Sequence, residues 1–122
     1  MTPTDALRQV DDLISRVGWC QDASARDVHG RNVPCDHEGA VQFSLDGAVQ
    51  RATWPGRLSD PDDPKLDQVM VEVMYRLAHA AGMNGDDANP WGYLMDWNDA
   101  LGRTKEQVAE LVRGCLMEGN NA

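Results

Sequence analysis

The chain has 122 residues, room for one compact domain and not for two. Its 11 Lys and Arg against 20 Asp and Glu give a formal net charge of −9. That balance argues against a cationic nucleic-acid binder and against a basic membrane-surface protein. No apolar run approaches the ~20 residues of a bilayer span, and Asp5, Asp11 and Asp12 leave no signal-peptide core, so a cytoplasmic location is expected.

Leu, Ile, Val and Phe supply only 23 of the 122 residues, a level that with high net charge borders on disorder. Four Trp and six Met offset the deficit, since one buried aromatic hides ~150–250 Å². The expectation is a folded domain with a core assisted by Trp and Met. Three thiols (Cys20, Cys35 and Cys115) without a C-x-x-C pair suit a reducing compartment.

The first helix starts at Pro3 with Thr2 as N-cap, and Leu7, Val10, Ile14 and Val17 recur on one face. Gly18 reads as its C′ residue, with Trp19 folding back on the last turn. Between Cys20 and Cys35 the period changes. Residues 23–28 and Asn32-Val33 flank His29-Gly30 as a short β-hairpin, which must lie on helices to be stable.

A second helix is predicted after Asp36 as N-cap, with Val41, Leu45, Ala48, Val49 and Ala52 on one face. Gly47 inside it costs ~1 kcal/mol against Ala, which points to close approach of another backbone. Trp54-Pro55-Gly56 ends this helix, and residues 55–64 form an acidic, Pro-rich loop. Asp63 and Pro64 open a third helix with the strongest stripe, Leu66, Val69, Met70, Val73, Met74 and Leu77, closed by Gly82.

After a polar loop at 83–90, Trp91 to Trp97 reads as a short helix. Thr104 to Gln107 is a capping box that opens the last helix, with Val108, Leu111, Val112, Cys115 and Leu116 inward. Residues 119–122 read as a frayed tail. The fold class is therefore mainly α: a single small domain of four main helices and one short one, with a β-hairpin between helices 1 and 2.

Several runs, taken together and in order, resemble a known family. They are Gly18-Trp19-Cys20-Gln21, Ala25-Arg26-Asp27, Gly30-Arg31, Gly47-Ala48, Trp97-Asn98-Asp99 and Gly102-Arg103-Thr104. The family is the DUF6197 type, small proteins of unknown function from actinobacteria and their phages. The resemblance covers nearly the whole chain. It implies one fold, a cytoplasmic location and a phage or mobile-element origin, and it brings no activity and no catalytic residues. Asp46 and the Pro-Asp loop at 55–64 depart from the family pattern.

Four residues invite a metal reading: Cys20, His29, Cys35 and His37 could make a zinc tetrahedron if the hairpin gathered them. Their spacing matches no standard zinc pattern, so unrelated residues near a turn are favoured, with no metal and no cofactor expected. A Cys20–Cys35 disulfide is disfavoured by compartment. Ser24 and Ser44 lack a nucleophile elbow, and pairing Cys35 with His37 or His79 lacks an oxyanion hole. Asp60, Asp62 and Asp63 fail the EF-hand pattern, since prolines interrupt them.

Trp97, Asn98 and Asp99 admit a ligand site, but a buried indole and a helix-ending turn account for all three. Acidity is the global feature. It favours a non-catalytic interaction protein, a phage or mobile-element accessory or anti-defence factor. Such a protein would dock on a basic host protein, such as one in a nucleic-acid-binding complex, without touching nucleic acid or membrane itself. The aspartates most available for docking are Asp60, Asp62, Asp63, Asp86 and Asp87. The competing readings are a small-molecule or metal-binding module and an enzyme without a recognisable motif.

Overall fold

In the computed structural model, which describes residues 1–59, 64–85 and 89–120, the predicted first cap forms in full. Thr2 Oγ1 accepts from Asp5 N–H at 3.1 Å while the Asp5 carboxylate accepts from Thr2 N–H at 3.1 Å. Helix α1 spans Pro3–Asp12 and buries Ala6, Leu7 and Val10. It continues as a π-helical segment, Leu13–Val17, closed by Gly18 N–H donating to Leu13 C=O at 2.9 Å.

Gly18 is not the left-handed C′ residue that was expected. Its φ of 161° is extended backbone, and the chain leaves the helix as a strand-like run. Glycine is required there by space, because a Cβ would lie 2.5 Å from Val41 O. Phe43 N–H donates to Gly18 C=O and Cys20 N–H to Phe43 C=O, so this run lies parallel to the segment around Phe43.

The expected hairpin is present as β1 (Ala25–Arg26) and β2 (Asn32–Val33). Its loop is organised by Asp27, whose Oδ1 accepts from His29 and Arg31 N–H at 2.9 Å, with Gly30 at φ +78°. A third strand, β3 (Gln42–Phe43), was not foreseen. It pairs antiparallel with β1 on the other side, giving the order β2-β1-β3.

That strand corrects the predicted second helix. Helix α2 spans Leu45–Ser59, and Ser44, not Asp36, precedes it. Val41 falls in register with the apolar stripe yet is exposed, while Phe43 is buried, the alternation of a strand. At the other end, Trp54-Pro55-Gly56 does not stop the helix, which continues to Ser59. Of the predicted loop at 55–64, residues 55–59 are thus helical, residues 60–63 lie outside the described residues, and Pro64 begins α3.

Helix α3 (Pro64–Ala80) buries Val73, Met74, Leu77 and Ala78. Helix α4 (Pro90–Asn98) starts one residue earlier than expected, because the Asn89 side chain caps Trp91 N–H ahead of Pro90. Helix α5 (Lys105–Asn120) begins at the predicted capping box and extends into the predicted tail, with residues 121–122 outside the described residues. Among the described residues no helix is long and apolar enough to cross a membrane.

The core joins α1, α2, α3, α4 and α5 to one face of the sheet. Its fully buried centre is aliphatic plus Phe43: Leu7, Val10, Ile14, Leu45, Val49, Leu77, Leu94, Val108 and Val112, with Met74. Each such side chain contributes ~1.5–3 kcal/mol of burial. Among the described side chains the expected Trp assistance is peripheral, since Trp19, Trp91 and Trp97 are half-buried and pack on the outside of that centre.

Candidate functional site

Among the described residues a dense polar centre is built where the sheet meets the end of α4. Asn98, the last residue of α4, is fully buried. Its Oδ1 accepts from Trp19 Nε1 at 2.7 Å and from Leu45 N–H at 3.1 Å. Its Nδ2 donates to Cys20 C=O at 3.1 Å and to Asp99 Oδ1 at 3.0 Å. Gln21 Nε2 donates to the carbonyls of Asn98 and Ala100, and Asp22 N–H donates to Asp99 Oδ1 at 2.9 Å. Asp22 holds a positive φ of 63° to do so. One amide thus closes the start of α2, the run after Gly18 and the end of α4.

The hydrogen-bonding groups of the Asn98 side chain are all engaged within the protein. Trp97 carries the Arg103 guanidinium over its ring at 3.9 Å, and Arg103 Nε donates to Trp97 C=O at 2.8 Å. Of the three residues weighed as a ligand site, Trp97 is half-buried, Asn98 buried and Asp99 tied to Asp22. Their arrangement is that of a structural joint.

A second buried polar group adjoins it at the first turn of α2. Ser44 Oγ donates to Asp46 Oδ1 at 2.9 Å and accepts from Gly47 N–H at 3.1 Å. Burial raises the Asp46 carboxyl above its ordinary value, against the hydrogen bonds from Ser44 and the backbone, and the Asp99 carboxylate adds to the rise. Gly47 meets the predicted close backbone: a Cβ there would sit 2.0 Å from Ser24 O.

The cysteines and histidines do not assemble. Cys20 Sγ donates to Ala23 C=O and Cys35 Sγ to Gln50 Oε1, while His29 and His37 are exposed. Among the described residues no three of His, Cys, Asp and Glu gather to hold a metal. All three thiols are buried and free, and burial pushes Cys20 and Cys35 up to about 11. A thiol so protonated is a poor nucleophile at neutral pH. Asp60, Asp62, Asp63, Asp86 and Asp87 lie outside the described residues.

Sequence reasoning missed a groove of about 390 Å³ between α1 and α2, lined by Arg8, Gln9, Asp12, Leu13 and Arg51. The signal was available in part, since positions 8, 9, 12 and 13 form one strip of a helix. Arg51 could not be added from sequence because it enters from α2.

A family model described as a family of unknown function (DUF6197) matches residues 1–115. The chain belongs to that family. No curated protein and no solved structure matches it. Three of the runs on which the DUF6197 resemblance rests meet in the fold, with Trp19 and Gln21 on Asn98 and Arg103 on Trp97. In this DUF6197 chain those residues build the joint between sheet and helices.

Proposed function

We propose that this protein acts by binding and not by catalysis, docking its acidic surface on a basic protein. The net charge of −9 carries the reading. Several arginines are already engaged by the chain's own carboxylates, Arg16 with Asp12, Arg31 with Asp27, Arg76 with Glu72 and Arg113 with Asp11. The surplus is therefore anionic, and an anionic surface speeds encounter with a basic partner while repelling nucleic acid. A cytoplasmic phage or mobile-element accessory, an anti-defence factor that docks on a nucleic-acid-binding host complex, fits that chemistry.

The test is capture from nuclease-treated host lysate, followed by purification of the captured protein. A basic partner is expected, associating more slowly as the Debye length falls from ~10 Å at 0.1 M salt to ~3 Å at 1 M. Changing Asp60, Asp62 and Asp63 to Asn should slow association and flatten its salt dependence. A triple variant with the wild-type rate and salt slope removes these aspartates from the docking surface. A partner of neutral or acidic charge, bound equally at high salt, overturns the proposal.

A further inference from the structure

The groove between α1 and α2 is lined by two arginines, Arg8 and Arg51, on a chain that is otherwise strongly acidic. Arg51 is already immobilised. Its Nη1 donates to Cys35 C=O at 3.0 Å and to His37 C=O at 2.9 Å, and its guanidinium lies over the buried Phe43 ring at 5.7 Å. Both carbonyls take the same nitrogen. Among the described residues Nε and Nη2 have no hydrogen-bond partner, and no carboxylate pairs with this arginine. A guanidinium held by one corner presents a fork whose geometry matches a carboxylate.

Arg8 supplies the second charge. Its side chain is 62% exposed and reaches Asp5 only at 3.9 Å, a loose surface pair that a better partner can displace. Gln9 adds an amide side chain to the lining and Leu13 an apolar wall. Asp12 also lines the groove, with its carboxylate on Arg16 at 3.1 Å. The volume is in the lower range of small-ligand sites. With Asp5 and Asp12 close by, a singly charged anion is favoured over a doubly charged phosphate.

We propose that this groove binds a small organic monocarboxylate, its oxygens held by Arg51 and Arg8 and its apolar body laid on Leu13. The site stands whether or not the acidic surface docks on a protein, because it uses neither Asp60, Asp62, Asp63, Asp86 and Asp87 nor the net charge.

Benzoate, acetate, inorganic phosphate and chloride, titrated at matched ionic strength and followed by NMR, test it. Benzoate is expected to shift the Arg51 Nε–H and Leu13 methyl signals along one saturable curve. Acetate, lacking the apolar body, should bind more weakly, and chloride should give no saturable shift. Arg8→Gln, at an exposed position that leaves the fold intact, should weaken benzoate about tenfold, the effect of losing one charge-assisted contact. Arg51→Lys keeps the charge and removes the fork, and should weaken it at least as much. No saturable benzoate shift, an unchanged affinity in Arg8→Gln, or phosphate binding tighter than benzoate would each overturn the proposal.

Discussion

The indole Nε1 of Trp19 donates to Asn98 Oδ1 at 2.7 Å, joining residues 79 positions apart. The same oxygen holds Leu45 N–H, and the same side chain holds Cys20 C=O. Three segments are therefore positioned by one buried amide.

Replacing Asn98 by Ala should cost about 3 kcal/mol or more, because it orphans two donors and a carbonyl at ~1–3 kcal/mol each. Trp19→Phe removes one donor and should cost less. In a double-mutant cycle by urea unfolding, the two losses should be clearly less than additive. Additive losses would mean that the pair does not share its energy.

Gly47→Ala separates helix propensity from packing. Propensity alone favours Ala by ~1 kcal/mol. The added Cβ would sit 2.0 Å from Ser24 O, and backbone cannot yield as a side-chain end can. The variant should lose about 2 kcal/mol or more in urea midpoint analysis. A stabilised variant would place Ser24 farther away.

Much of the fold was legible where local chemistry decides the outcome. Thr2, Thr104 and the α3 stripe declare their helices through caps and period, and Gly47 declared a close backbone. The failures share one cause. Val41 matches a helical stripe by spacing, yet residues 41–43 are held by Arg26, Gly18 and Cys20, partners that sequence does not reveal. The candidate site was half legible: Trp97-Asn98-Asp99 were singled out, but Trp19, Leu45 and Cys20 reach Asn98 only through tertiary contact. Arg51 was invisible for the same reason.

Asp46 gives the stability a pH dependence of known sign. Its folded carboxyl is raised above the unfolded value of 3.8, so protonation favours the folded state. Its contribution is unfavourable at neutral pH, and that penalty is relieved as pH falls through the raised folded value toward 3.8. Asp5 and Asp27 act oppositely, being lowered chiefly by hydrogen bonds from the backbone of Thr2 and Arg31. They favour the folded state above 3.8 and lose that favour in stronger acid. Between pH 7 and 4 the urea midpoint of wild type should therefore rise relative to that of Asp46→Asn on acidification. A constant difference would remove Asp46 from the linkage.

Thr104→Ala tests the last cap. Thr104 Oγ1 accepts from Gln107 N–H at 3.2 Å and Gln107 Oε1 from Thr104 N–H at 3.0 Å. Loss of the hydroxyl should lower stability by about 0.5–2 kcal/mol, read from the urea transition. A change near zero would mean that the helix start is held by something else.

The acceptor found for Leu45 also bears on motion. Amides in the first turn of a helix ordinarily exchange with solvent quickly, because no preceding carbonyl covers them. Leu45 N–H instead ends on a side chain from the far end of α4, inside the core. Exchange of its proton is therefore expected to require that α4 separate from α2 and the sheet. In deuterium exchange this single position therefore acts as a clock for the opening of the whole molecule, and not for the fraying of its own helix.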